Sequence, residues 1–260
     1  MKNNKPHMKR FIALTYFFLL VQTTITAQND TLLYFFAGHT YQWYTRGDKV
    51  DTRLEDLDLS IYDGIWLGGD VCSEALFEYS TLLYIDSLFN LKHPNTHWTL
   101  GNHDTRNGNW IWLEELTGKK TFYASTYKGI SYIILNTCIT PYDCEQLNAQ
   151  YEMIKNVCDT IQSSSHLIIM SHHGLWHKVP GLPKSYLNAQ SNLIYYNFNC
   201  NSTESTFINE IYPRLVEVEE RGIDVICMMG DLGASELDFM SDDSIQFLGT
   251  GLNRSYYKDP

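Results

Sequence analysis

Basic side chains are scarce in this chain: 19 Lys and Arg stand against 30 Asp and Glu, a formal net charge of −11. A surface of that sign argues against a reader of the nucleic-acid backbone, which needs a basic face. Charged residues in total are only 19% and apolar ones 44%, so neither a disordered chain nor a coiled coil is in view. No Cys-x-x-Cys pair occurs among the 6 cysteines, which removes support for a zinc knuckle. Long apolar runs are also missing. The longest, Phe11–Val21, is shorter than the ~20 residues of a spanning helix, and no other segment could cross a membrane.

What surrounds that run has its own logic. Lys2, Lys5, Lys9 and Arg10 precede it, and Ile25-Thr26-Ala27 follows, the order of a secretory signal cut after Ala27. The expectation is therefore a signal peptide over 1–27 and one domain over 28–260, secreted or periplasmic. An uncleaved anchor is the alternative. No cysteine near the cut suggests a lipid anchor. Export permits disulfides. Cys138 and Cys144 flank the turn-like ITPYD and form the candidate pair, while Cys72 and Cys227 adjoin buried-looking strands as free core thiols.

Along the mature chain, β-branched and aromatic runs alternate with helical spacing. TLLYFF (Thr31–Phe36), GIWLGG (Gly64–Gly69), THWTL (Thr96–Leu100), HLIIMS (His166–Ser171) and DVICMMG read as buried strands. TFYASTY and ISYIILNT read as neighbours around Lys128-Gly129, and SIQFLGTG (Ser244–Gly251) as a last strand. Helices are expected over Ser73–Asn90 with Ser73 as N-cap, over Glu145–Gln162, and over Tyr212–Gly222 with its glycine stop. This order suggests a layered α/β domain. Five of the strands end in polar clusters: His39, Asp70, Asn102-His103-Asp104, His172-His173 and Asp231. Strand ends on one edge of a sheet converge, and carboxylates, imidazoles and an amide oxygen together suit a hard or borderline metal.

The stretches AGHT, GGDV, GNHD, MSHHG and MGDLG, in that order, resemble the motifs of the calcineurin-like metallophosphoesterases, which include the purple acid phosphatases. The resemblance implies a four-layer α/β/β/α sandwich with mixed sheets. It implies metal ligands at His39, Asp70, Asn102, His172 and Asp231, with Asp70 as the bridging carboxylate of a two-metal site. His103 would be the proton donor, with Asp104 holding its ring, and His173 would lie just outside the ligand set, on the substrate side.

The departures from the pattern bear on the metal. Ala37 stands where the first motif has Asp; Asp231 and Gly233 stand where the last has two His. One position keeps only His39 and Asp70, whereas the other keeps Asp70, Asn102, His172 and Asp231. One tight divalent ion is therefore expected, with Mn, Fe, Zn and Mg all open. Glu74, Glu236 and Cys72 are the sequence neighbours able to patch the weaker position. Arg106 could clamp a phosphate, and His177 could line the cleft. The stretch Lys184–Thr206 reads as an insertion loop, and Asn201 and Asn253 open glycosylation sequons. The reading is an exported phosphoesterase acting on a phosphomonoester or small phosphodiester through metal-activated water. A degenerate, non-hydrolytic member that binds a phosphorylated or glycan ligand is the alternative.

Overall fold

The central strands of this protein are buried on both faces, so each must be covered twice. In the computed structural model, residues 31–42, 47–176, 178–182, 200, 207–233 and 235–252 are described. Strands β1 (Tyr34–Ala37), β2 (Gly64–Leu67) and β3 (Thr96–Trp98) form a three-stranded sheet, parallel throughout. A second, six-stranded sheet has the order β4-β5-β6-β7-β9-β8. Its members are β4 (Tyr123–Tyr127), β5 (Ile130–Ile134), β6 (His166–Ser171), β7 (Asp224–Met229), β8 (Glu236–Met240) and β9 (Gln246–Thr250). This sheet is mixed, because β4 and β8 run antiparallel to their neighbours and the rest are parallel.

Period-two alternation decides what each strand covers. On β6, Leu167 and Ile169 face the helix side, while Ile168 and Met170 face the other sheet. On β7, Val225, Cys227 and Met229 divide from Met228 in the same way. Three apolar layers result. One lies between the sheets around Trp66, Tyr132 and Met170. A second lies between the larger sheet and helices α5 (Cys144–Thr160) and α6 (Tyr212–Glu220). The third lies between the smaller sheet and helices α2 (Tyr79–Phe89) and α4 (Ile111–Thr117). This is the four-layer α/β/β/α architecture expected.

At one end the two sheets meet through bare backbone. A Cβ on Gly38 would lie 2.3 Å from the Gly230 Cα, and one on Gly230 would lie 2.0 Å from the Gly68 carbonyl oxygen. Only glycine fits at these three strand ends. Thr99 adds a second tie, its Oγ1 donating to the Leu135 carbonyl at 2.7 Å.

Three expectations are corrected here. Helix α2 begins at Tyr79, not at Ser73. Residues 73–77 instead form a turn tied to the segment after β3, where the Glu74 and Leu76 amides donate to the carbonyls of His103 (2.7 Å) and Asp104 (3.0 Å). Tertiary hydrogen bonds outweigh helical spacing over that stretch. Cys144 pairs with Cys200 rather than Cys138, the Cα atoms being 5.0 Å apart. Cys138 stays a thiol that donates to the Leu100 carbonyl. Edge strand β8 was not expected, because its sequence ELDFM is mostly polar outside Leu237 and Phe239. Cys72 and Cys227 are buried free thiols. The signal segment, His177, most of the 184–206 stretch and the two sequons lie outside the described residues.

Candidate metal centre

The five polar clusters do converge at the C-terminal ends of the parallel strands. His39 follows β1, Asp70 follows β2, and Asn102, His103 and Asp104 open the short helix α3 (Asn102–Thr105) after β3. His172 and His173 follow β6, and Asp231 follows β7. The first set belongs to the smaller sheet, the second to the larger.

His172 is the hinge of the arrangement. Its ring is fully buried, and Nδ1 lies 2.8 Å from the Gly68 carbonyl, which can only accept. Nδ1 therefore carries the hydrogen and leaves Nε2 as the free donor atom. Nε2 lies 3.4 Å from Asp70 Oδ2 and 3.3 Å from Asn102 Oδ1. Ligands ~2.0–2.2 Å from one ion stand roughly 3.0–3.5 Å from each other along a polyhedron edge, so the distance of Nε2 from each oxygen suits a pair of ligands on one cation. A donor atom each from His172, His173 and Asp231 also lies within 4.8 Å of the other two, all three residues being buried. The carboxylate, amide and imidazole donors present fit a divalent ion.

Around this set, burial and neighbouring charges oppose one another. Burial pushes the Asp70 carboxyl up, but the adjacent His172 outweighs it and holds Asp70 well below the ordinary carboxylate range. Burial alone would lower His172, yet Asp70 beside it raises the imidazole to about 10. His173 goes the other way, pushed down to about 3 by burial and by His172. Without a metal, a proton on His172 supplies the positive charge that Asp70 demands.

His39 sits with its Nε2 3.9 Å from Asp70 Oδ2. His39 and Asp70 both have positive φ, at 49° and 51°, conformations that L-residues adopt at a cost. The His39 amide donates to the Gly69 carbonyl and the Thr40 amide to that of Asp70, both at 2.9 Å, which holds the two strand ends together. Tyr41 packs between two rings of the site, its centroid 4.8 Å from His39 and 5.1 Å from His103.

Asp104 works differently from the expectation that it holds the His103 ring. Its Oδ2 accepts from the amides of Asp70 (2.7 Å) and Gly101 (2.8 Å) and from Trp98 Nε1 (3.3 Å). Its Oδ1 accepts from the amides of Val71 (2.8 Å) and Cys72 (3.4 Å). Both oxygens are thus spent fastening the Gly-Gly-Asp loop to the Gly-Asn-His-Asp turn. Burial and the Asp70 charge push this carboxyl up, and its amide donors oppose them. The counterpart contact runs from the His103 amide to Asp70 Oδ1 at 2.9 Å. Gly101 makes room for this exchange, since a Cβ there would lie 2.1 Å from Asp70 Oδ1.

The remaining expected residues are also placed. His173 accepts or donates at Nδ1 with Thr137 Oγ1 at 2.7 Å, a partner not foreseen. Arg106 caps α3 half-buried, and among the described residues it pairs with no carboxylate. Cys72 is buried in the apolar layer behind the site, Glu74 is tied by its backbone to His103, and Glu236 lies exposed on β8.

No protein-family model and no curated protein matches the sequence. Solved structures do match in shape. A dimetal phosphatase from Danio rerio superposes with a TM-score of 0.51 at 9% identity, over 86% of this chain and 88% of that one. A phosphopantetheinyl hydrolase from Mycobacterium tuberculosis superposes with a TM-score of 0.48 at 13% identity, over 88% and 96%. The fold of this chain is that of the calcineurin-like metallophosphoesterases.

Proposed function

We propose that the chain is an exported, metal-dependent phosphoesterase that hydrolyses a phosphomonoester or small phosphodiester. The observation that supports this reading is that His172 Nε2, from the larger sheet, stands at polyhedron-edge distance from both Asp70 Oδ2 and Asn102 Oδ1, from the smaller. Asp70, Asn102, His172 and Asp231 would hold one tight ion. His39 and Asp70 alone are too few for a second, because Ala37 and Gly233 offer no side-chain donor. When bound, such an ion supplies Lewis acidity toward a phosphoryl oxygen and a nucleophilic water near neutral pH.

The chain's own residues do the rest. Burial of the centre excludes bulk water and strengthens every charge interaction inside it. Asp104 fixes the loop bearing Asp70 and the turn bearing Asn102 and His103. His103 donates a proton to the leaving oxygen, with Tyr41 packed against its ring. Arg106 and His173 take the non-bridging phosphoryl oxygens. The substrate site then lies over the strand ends, where an open α/β sheet binds ligands.

The test joins stoichiometry to turnover. Dialysed protein should retain close to one equivalent of a transition metal or Mg, and Asp231→Ala should lose it. The native protein should hydrolyse an aryl phosphate only with that metal present. Two tight equivalents would show that another side chain rebuilds the weaker position. Ala37 and Gly233 also favour the second reading, a non-hydrolytic binder of a phosphorylated or glycan ligand. Metal retention with no turnover on any phosphate ester would select it.

A further inference from the structure

Two adjacent histidines follow β6, and their neighbours give them opposite chemistry. His172 turns Nδ1 to the Gly68 carbonyl at 2.8 Å, so that nitrogen carries the hydrogen and Nε2 is the one that can take a cation. His173 has a different partner. Its Nδ1 lies 2.7 Å from Oγ1 of Thr137, in the turn after β5, and both residues are buried.

The hydrogen-bond count decides which atom donates. A threonine hydroxyl has one hydrogen to give and can accept two. Thr137 Oγ1 already accepts from the His173 amide at 3.3 Å. Among the described residues, the acceptor within reach of the hydroxyl hydrogen is His173 Nδ1. Were the ring to donate from Nδ1 instead, Oγ1 would accept twice and its own buried hydrogen would be left unpaired, the costlier arrangement. An imidazolium fails the same count, since it too would turn an Nδ1 hydrogen on the hydroxyl. The hydroxyl therefore donates, the Nδ1 lone pair is taken, and the ring hydrogen sits on Nε2. Two contacts to one oxygen, from the amide and to the ring, also set the direction of the ring.

From this geometry we infer that Thr137 is a positioning residue that fixes His173 as its Nε2–H tautomer, a neutral hydrogen-bond donor with no lone pair for a metal. The consequence bears on His172, His173 and Asp231, whose donor atoms within 4.8 Å of one another have the composition of a three-ligand cation site. His173 drops out of that set. Among the described residues its Nε2 has no acceptor at hydrogen-bond distance, so its hydrogen is available to a phosphoryl oxygen. That last role rests on the phosphoesterase reading, whereas the tautomer does not.

Long-range proton–nitrogen correlation spectra of the full chain with isotope-labelled histidine read the tautomer directly, the His173 signals being those lost in His173→Gln. A pyrrole-like Nε2 and a pyridine-like Nδ1 are expected. Thr137→Val keeps the shape and removes the hydroxyl, so the two nitrogen shifts should move toward each other, and Thr137→Ser should restore them. Thr137→Ala serves the same purpose should the valine variant fail to fold. His173→Gln should keep the metal that the parent keeps after dialysis. Calorimetry of inorganic phosphate on the metal-loaded protein should give an affinity about three- to ten-fold weaker in Thr137→Val and near the parent in Thr137→Ser. On the His173→Gln background, Thr137→Val should cause no further loss. A pyridine-like Nε2, pyrrole-like shifts at both nitrogens, or unmoved shifts in folded Thr137→Val would overturn the tautomer. Loss of metal in His173→Gln would make His173 a ligand after all, and undiminished phosphate affinity in Thr137→Val would overturn the positioning role. A parent that neither binds nor hydrolyses phosphate would instead overturn the phosphoesterase reading, with the spectra still deciding the tautomer.

Discussion

Replacing Asp104 by Asn changes one atom in the best-connected side chain of the centre. The carboxylate accepts five N–H groups, three at Oδ2 and two at Oδ1. An amide has one oxygen, so its NH2 must face donors on one side. The less costly orientation turns NH2 toward Val71 and Cys72, keeping the short bonds to Asp70 and Gly101. One strong hydrogen bond at 2.8 Å then becomes a donor facing a donor, and the others lose their charge assistance. With about 1–3 kcal/mol for a buried donor left unpaired, the total comes to roughly 2–4 kcal/mol. For a domain of this size each kcal/mol shifts Tm by about 2–4 °C, so calorimetry should show a drop of roughly 5–15 °C. Metal affinity should fall with it, because Asp70 and Asn102 are held in register by these bonds. A Tm within about 2 °C of the parent, with metal affinity intact, would refute the fastening role. So would a silent Asp104→Asn beside a damaging Asp104→Ala, which would mean that the carboxyl is protonated and donates.

Three further outcomes are expected. His103→Ala should lower turnover about 10²–10⁴-fold with bound metal nearly unchanged, and equal turnover where chemistry limits the rate would remove His103 from proton transfer. His97, fully buried with Nδ1 2.9 Å from the Tyr123 hydroxyl, is pushed down to about 3 by burial, then by Lys119 and His93. The unfolded chain binds that proton from about pH 6.5 downward and the folded chain does not, so stability is lost as pH falls; about 2 kcal/mol should go between roughly pH 7.5 and pH 5. Urea titrations in which His97→Asn keeps the full slope would exclude His97 as its source. Reduction of Cys144–Cys200, which spans 56 residues, should cost at most ~4 kcal/mol by loop-closure entropy, seen as a lower Tm in reductant. An unchanged Tm would place that stretch of chain outside the cooperative unit.

Much of the centre was legible because its signal is local. Each donor follows directly on an apolar strand, and parallel strands bring such positions to one edge. The clusters at His39, Asp70, Asn102-His103-Asp104, His172-His173 and Asp231 could be named on that ground without coordinates, whereas the choice of ligands within them came from the resemblance. What escaped depends on contacts between distant segments. Asp104 reads as a neighbour of His103, yet three of its five partners, Asp70, Val71 and Cys72, stand more than 30 positions away. Thr137 carries no motif, and only the approach of β5 to β6 brings its hydroxyl to His173. Ser73–Phe77 has helical spacing but is claimed by the carbonyls of His103 and Asp104. Cys138 sits nearer in sequence to Cys144 than Cys200 does, and proximity misled. Strand β8 did carry a period-two trace in Leu237 and Phe239, which its flanking acids obscured.

The glycine seam has a kinetic corollary. The smaller sheet draws on residues 34–98 and the larger on residues 123–250, so each can assemble from nearby chain before the other is complete. Gly38, Gly68 and Gly230 touch only when the finished sheets dock. The donors divide along the same line, Asp70 and Asn102 on one side, His172 and Asp231 on the other. The capacity to hold an ion should therefore arise in the last step of folding, after the rate-limiting barrier. An interaction absent from the transition state slows escape from the native basin without hastening arrival. Added metal should leave the refolding limb of a chevron where it was and lower the unfolding limb. The ion would then act as a latch on a closed seam, setting how long the molecule stays folded rather than how quickly it folds.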